Sequence, residues 1–401
     1  MQWKRVLSVK SSLLKPERAF EFLALAREAR EKGIDVISFG IGQPDVPPPD
    51  CVLESFKKAI EDKKTGYSPT PGLLELREVI ADYVNENYKC DAKTEEVIVT
   101  VGAKSAIFMS LMALINDREE VLIPDPSYPV YESAVSYLGG VVKFYRLLES
   151  PDGWKLDFDD LLSKISEKTK VIILNNPHNP TGAAFSRKEV LELCRIASEK
   201  NIVIIADEVY EKFVFDEVHT STLEHEDWRD FLVYVNGFSK TFSMTGMRLG
   251  YVVTNKELIE RLSLIANNIY SCPPTPAQIA AITALKEGLD SISGIVNEYM
   301  ERRNLIVNEL RKIPGVKISP PKGAFYAFPD ISDSMRISKY SDVEKFVYDI
   351  LFEAGVLVLP GTAFPGSTGN THVRLSFATN KENIREGMAR LRRWIYEKGG
   401  L

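Results

Sequence analysis

Cysteine is scarce in this chain. Cys51, Cys90, Cys194 and Cys272 are the only four among 401 residues, and they stand far apart with no C-x-x-C pair. That excludes a disulfide framework, a redox dithiol and a cysteine zinc knot, and predicts buried free thiols. Histidine is as rare: His178, His219, His225 and His372 keep no metal-ligand spacing, so no metal is expected. Long apolar runs are missing too. Stretches such as Ile202-Val203-Ile204-Ile205-Ala206 fall far short of the ~18 residues a membrane span needs. Positive charge is not in excess, since 50 Lys+Arg stand against 56 Asp+Glu for a net charge of −6. Without a basic block there is no electrostatic footprint for a nucleic-acid backbone. The first residues carry Lys4, Arg5 and Lys10 but no apolar stretch before a cleavage site, which speaks against a secretory signal and makes the cytoplasm the expected compartment.

What is present is an ordinary globular composition, 44% hydrophobic and 26% charged. Its length suffices for two cores, because single cores stop growing near ~250–300 residues. Between about 95 and 255, short β-branched runs alternate with amphipathic stretches, the pattern of a mostly parallel sheet covered by helices. The strands expected are 97–100, 120–123, 171–174, 202–205, 232–235 and 249–253, apolar on both faces as buried parallel strands require. Ser186-Arg187-Lys188-Glu189 reads as a capping box opening a helix that runs to Lys200. Beyond about 290 the texture changes to a long charged helix around 299–311 and hairpin-like pieces punctuated by Pro320-Pro321, Gly323, Pro360-Gly361 and Pro365-Gly366. The expected division is an N-terminal arm contributing to a small domain (1–45, with a helix near 18–32), a large α/β domain (46–290) and a C-terminal α+β domain (291–401).

In open α/β sheets ligands bind at the carboxyl ends of the strands, and here those ends are chemically loaded. The run ending at Val101 is followed by Gly102-Ala103-Lys104-Ser105 and a helix, and the run ending at Leu174 by the string 175–182, N-N-P-H-N-P-T-G. Ala206 is followed by Asp207-Glu208-Val209-Tyr210, and Val235 by Asn236-Gly237-Phe238-Ser239-Lys240. The first of these suits a phosphate, which backbone N–H groups and a helix dipole favour; it also reads as a plain tight turn. It is not a nucleotide-binding G-x-x-x-x-G-K loop, and Gly40-Ile41-Gly42 lacks the third glycine of a dinucleotide fingerprint. Asp207 alone reads as a cap or salt-bridge partner and Lys240 alone as a surface lysine. A carboxylate and a lysine at the ends of separate buried strands, beside a phosphate turn, are together what pyridoxal phosphate requires: the lysine forms a Schiff base and the carboxylate keeps the pyridine nitrogen protonated.

These residues carry a family resemblance. With residues 239–250 reading S-K-T-F-S-M-T-G-M-R-L-G, the chain resembles the class I/II pyridoxal-phosphate aminotransferases of fold type I, close to the prokaryotic aspartate aminotransferases, over about 38–380. The resemblance implies a large domain with a mostly parallel seven-stranded sheet between helices, and a homodimer with shared active sites. It makes Lys240 the Schiff-base lysine and the later proton carrier, Asp207 the partner of the pyridine nitrogen, and Asn179 and Tyr210 partners of the ring hydroxyl. Tyr128, in Asp125-Pro126-Ser127-Tyr128-Pro129, becomes the ring-stacking aromatic. Gly102, Ala103, Lys104, Ser239 and Arg248 form the phosphate cup, with Tyr67 of Y-S-P-T-P-G-L-L-E-L-R reaching over from the other subunit. One departure is Gly237, where the family often has serine; Ser239 is the expected substitute. Arg374, in His372-Val373-Arg374-Leu375-Ser376, matches the clamp on the substrate α-carboxylate, helped by the Gly42 backbone and Asn179.

The resemblance implies transfer of an amino group from an L-amino acid to a 2-oxo acid such as 2-oxoglutarate by a ping-pong mechanism. Lys104 stands where relatives that accept aspartate carry a lysine for the distal carboxylate, which favours aspartate and glutamate. The alternative is that Lys104 faces solvent and Phe20, Phe22 and Tyr67 line a pocket for aromatic or aliphatic side chains, alanine included. A carbon–sulfur lyase shares the fold and the lysine. A DNA-binding regulator on the same fold is not expected, as the residues before Gly42 leave no room for the added domain.

Overall fold

The computed structural model describes residues 6–400; Met1–Arg5, half of the segment read for a secretory signal and the start of the expected arm, lie outside them, as does Leu401. Eight strands form the main sheet: β1 (Val97–Thr100), β2 (Glu120–Asp125), β3 (Val141–Ser150), β4 (Gly153–Leu156), β5 (Thr169–Asn175), β6 (Val203–Asp207), β7 (Leu232–Gly237) and β8 (Gly250–Val253). Their order across the sheet is β1-β8-β7-β6-β5-β2-β3-β4. Neighbours from β7 through β3 are parallel, whereas β8 runs antiparallel to both β7 and β1. The six expected runs are all strands. The two that sequence reasoning missed, β3 and β4, form an antiparallel hairpin at one edge, so the sheet has the seven expected strands plus β4. β3 exposes residues along much of its length, and an edge strand of that kind gives no continuous apolar run.

Side chains alternate between the faces of a strand, and the core divides accordingly. Ile172 and Leu174 of β5 join one buried cluster while Val171 and Ile173 join another on the opposite face. Helix Ala103–Leu114 packs into the second. The capping box expected at Ser186 is present, with Ser186 Oγ accepting from Glu189 N and Glu189 reaching back to Ser186 N. Its helix, Arg187–Lys200, closes at Asn201 with φ +53°, a left-handed conformation that asparagine tolerates.

The C-terminal part is built on helices Ile292–Leu310 and Lys381–Gly399. The hairpin-like pieces are a three-stranded antiparallel sheet of Tyr326–Ala327, Val373–Ser376 and Leu359–Pro360. Ile37–Ser38, just after helix Arg18–Glu31, pairs in parallel with Val356–Leu357, which ties the N-terminal segment to this C-terminal part. All four cysteines are free; Cys90 and Cys194 are buried, whereas Cys51 and Cys272, expected buried, are only half-buried. Among the described residues no helix is long and apolar enough to cross a membrane, and no cluster of metal-ligating side chains occurs.

Candidate active site

The carboxyl ends of β1, β5, β6 and β7 open on one cavity of about 370 Å³, closed on its other side by the segment around Gly42 and by the strand carrying Arg374. Asp207 ends β6 and is buried, accepting a 2.6 Å hydrogen bond from the Tyr131 hydroxyl. Burial pushes its carboxyl up to about 6, against the opposing pull of that hydrogen bond. Lys240, in the short helix Phe238–Thr241 that follows β7, donates from Nζ to the Gly42 carbonyl at 2.6 Å. Desolvation of its amine, with the Arg374 charge nearby, pushes its pKa down to about 8. Arg374 is buried on a small-sheet strand and donates to Asn179 Oδ1 at 3.0 Å and to the Gly40 carbonyl at 2.6 Å, while its Nε has no partner.

Asp207, Lys240 and Arg374 thus face one cavity, and among the described residues none of them pairs with an opposite charge within ion-pair distance. Buried charge without a counter-ion is costly; such a site is built for a charged occupant. An anion corner lies at its rim. Gly102 has φ +79° and precedes helix Ala103–Leu114, and a Cβ there would come within 2.6 Å of the Arg248 guanidinium. The first helical N–H groups lack intrahelical acceptors, so backbone donors, the helix dipole and a guanidinium converge there. Gly250 packs against the same turn, its would-be Cβ 2.5 Å from Ala103 N.

Ala103, Lys104, Tyr128, Asn179, Tyr210, Ser239 and Gly42 line the cavity as well. Tyr128 stands edge-on to Tyr131, with ring centroids 5.6 Å apart. Tyr210 shares a 2.8 Å hydrogen bond with the Tyr326 hydroxyl. Tyr67 is 91% exposed and does not reach the cavity of its own chain. Of the three aromatics expected in an apolar pocket only Phe20 lines it; Phe22, 4% exposed, is held in the core by the inward face of its helix. At Gly237 a Cβ would stand 3.0 Å from the Leu249 carbonyl oxygen and 3.1 Å from Gly250 Cα, so close approach of β7 and β8 favours glycine where a serine is frequent. Ser239 and Thr245 supply hydroxyls on the same wall.

Among the cavity residues that escaped sequence reasoning, three make polar contacts with the expected ones. Tyr131 had a signal, since it sits in the first turn of helix Pro129–Tyr137, three residues after Tyr128 at its N-cap. Tyr326, whose ring lies 4.4 Å from the Arg374 guanidinium carbon, comes from a two-residue strand with no local mark. Glu17 arrives from the N-terminal segment, touching Lys104 and accepting from the Tyr128 hydroxyl at 3.2 Å, a contact between remote parts of the chain.

Fold and cavity together are those of an aminotransferase. The model of the family Aminotransferase class I and II matches residues 34–391, and the chain belongs to that family. An aspartate aminotransferase from Sulfurisphaera tokodaii is 41% identical over 390 residues, covering 97% of each chain. Among solved structures, an alanine aminotransferase from Pyrococcus furiosus superposes with a TM-score of 0.91 at 34% identity, covering 98% of this chain and 100% of that one. An aromatic aminotransferase from Pyrococcus horikoshii superposes at 0.87 with 38% identity, covering 94% and 100%. This chain is an aminotransferase of fold type I.

Proposed function

We propose that this enzyme uses pyridoxal phosphate to move the amino group of an L-amino acid, preferentially aspartate or glutamate, to a 2-oxo acid. The observation that carries the reading is the trio of uncompensated charges, Asp207, Lys240 and Arg374, around one cavity. The donor set fits the cofactor: Gly102, Ala103, Lys104, Ser239 and Arg248 for the phosphate, Asp207 for a protonated ring nitrogen, Tyr210 and Asn179 for the ring hydroxyl, Tyr128 against the ring face and Lys240 as the amine that holds it. When bound, the cofactor supplies an electrophilic carbon and an electron-withdrawing ring.

The chain's own residues do the rest. Arg374 and Asn179, with Gly42 beside them, hold the α-carboxylate, leaving Cα a narrow range of orientations toward Lys240. Lys240, its pKa already pulled toward neutrality, carries the proton away from Cα and returns it. Asp207 stays charged against its positive partner, and Tyr131 keeps that charge placed. Lys104 meets the distal carboxylate of an acidic substrate. The lowered amine and the raised carboxyl have separated functions because their surroundings differ, the usual means by which one site runs acid and base chemistry near neutral pH.

Residues 46–290 serve as the cofactor-holding body, and 1–45 with 291–401 as a second body that closes over substrate. Arg374 on a strand of the small C-terminal sheet and Lys240 in the short helix that follows β7 of the main sheet support this. A homodimer completes each site with Tyr67 of the other copy. In support, Tyr67 is fully offered to a partner, and Leu264 (58% exposed) and Ile269 (55%) lie on the helix whose Asn267 bonds Thr70 beside it. The cytoplasm is the compartment its free thiols suit. A second reading, neutral amino acids as donors, is favoured by the apolar wall of Ala19, Phe20, Leu23 and Ile41.

The test adds single amino acids to the purified holoenzyme without any oxo acid and follows the bound cofactor's absorption. Fast conversion by aspartate and glutamate, slowed by Lys104→Ala and absent in Lys240→Ala, is expected. Faster conversion by aromatic or aliphatic amino acids moves the substrate class to those. Pyruvate released from a cysteine conjugate, with no acceptor present, would make the enzyme a lyase.

A further inference from the structure

Glu17 precedes helix Arg18–Glu31 at its N-cap, a position where short side chains such as Ser, Thr, Asp and Asn ordinarily accept from the first backbone N–H groups. Here it makes no such cap. Its side chain turns instead into the cavity, where it pairs with Lys104 and accepts from the Tyr128 hydroxyl. The Glu17 side chain is 19% exposed and that of Lys104 47%. Anchors on either side hold it in place. Lys15 N donates to Ser133 Oγ at 3.0 Å and Lys15 Nζ reaches Glu132 at 2.8 Å, both on helix Pro129–Tyr137 beside the main sheet. Arg18 binds Glu344 with both terminal nitrogens, Nη2 to Oε2 at 2.6 Å, and Thr362 Oγ1 at 3.2 Å, both in the C-terminal part.

We propose that Glu17 is a specificity-determining residue, whose carboxylate covers Lys104 when the incoming amino-acid side chain is neutral and cedes it to the distal carboxylate when the side chain is acidic. The inference rests on the reading of Lys104 as the group that meets that carboxylate. With a neutral side chain, the Glu17–Lys104 pair leaves no bare cation against the apolar wall of Ala19, Phe20, Leu23 and Ile41. With an acidic one, a single ion pair is exchanged for another of the same kind, and the displaced Glu17 rotates toward solvent, which it already touches. Exchange of like for like carries a small net free energy at a half-exposed site. Both substrate classes are therefore admitted, and acidic substrates are held less tightly than an unpaired Lys104 would hold them.

The experiment measures kcat and KM for aspartate and for phenylalanine, with 2-oxoglutarate as acceptor, in the parent holoenzyme, Glu17→Gln, Lys104→Ala and the double variant. The holoenzyme absorption spectrum of each checks that the site is formed. Glu17→Gln keeps the side chain's size and removes its charge. It should raise the aspartate-to-phenylalanine ratio of kcat/KM by about fivefold to tenfold, through a lower KM for aspartate and a higher one for phenylalanine. In a Lys104→Ala background the same change should leave the ratio where Lys104→Ala alone puts it. An unchanged ratio in Glu17→Gln, with aspartate still weakened by Lys104→Ala, overturns the Glu17 proposal and leaves the reading of Lys104 standing. Aspartate unaffected by Lys104→Ala overturns both.

Discussion

Lys240 is tuned at the expense of stability. The unfolded chain holds this proton up to the ordinary value of 10.5, whereas the folded chain releases it at about 8. Between those values the unfolded state binds more protons, so the contribution of this group to stability rises with pH across that window and is most unfavourable below it. Lys240→Met, which retains most of the apolar stem, should stabilise the cofactor-free protein at pH 7 by on the order of 1–2 kcal/mol, after allowing for cavity water and the lost bond to Gly42. The gain should fade as pH climbs from about 8 toward 10.5, because only above 10.5 does the lysine become neutral in the unfolded chain as well. Thermal melts of the two proteins at pH 7 and near pH 10 measure it; a variant less stable at pH 7 would refute the account.

At the scale of an element, helix Arg187–Lys200 depends on one carboxylate for more than its own start. Glu189 Oε2 accepts from Ser186 N at 2.9 Å and Oγ at 2.6 Å, and its Oε1 accepts from Leu156 N at 2.9 Å, holding the β3–β4 hairpin to the helix. Ser186→Ala should cost about 1 kcal/mol, the usual worth of an N-cap. Glu189→Ala should cost about 2 kcal/mol because it also leaves a hairpin donor without its partner. Denaturant midpoints rank the two, and turnover of Ser186→Ala should match the parent, since the cap lies outside the cavity. The capping box was legible because its partners are three residues apart. The hairpin it supports was not, because β3 fully buries only two of its ten residues and carries no unbroken apolar run.

For the whole molecule, the exposed Tyr67 makes assembly testable through the site itself. A homodimer is the expected species in solution. If each site takes Lys240 from one copy and Tyr67 from the other, a hybrid of a Lys240→Ala chain with a Tyr67→Ala chain places both lesions in one site and leaves the second intact. Co-refolding the two variants should then give more turnover than the mean of the separate proteins. No gain on mixing, with dimers formed, would assign Tyr67 to its own chain's site or to none. The arm at Lys15, Glu17 and Arg18 belongs to the same scale, because it contacts the main sheet's helices and the C-terminal part within four residues of sequence.

The sequence by itself determined the alternation of buried strands with helices, the turn at Gly102, and the presence of a carboxylate, an amine and amides at successive strand ends, because each of these is a local pattern of spacing. It also carried the family resemblance, through two short strings around Asn179 and Lys240. Only the tertiary structure decided which of those residues lack counter-charges, for burial and pairing depend on what the remainder of the chain brings near. Burial and charge around the cavity displaced the pKa values of Asp207 and Lys240 in opposite directions. Chain path alone placed Tyr326 on Tyr210 and brought Glu17 across to Lys104. Contacts between residues separated by about a hundred positions leave no periodicity to read, and here they set part of the boundary of the cavity.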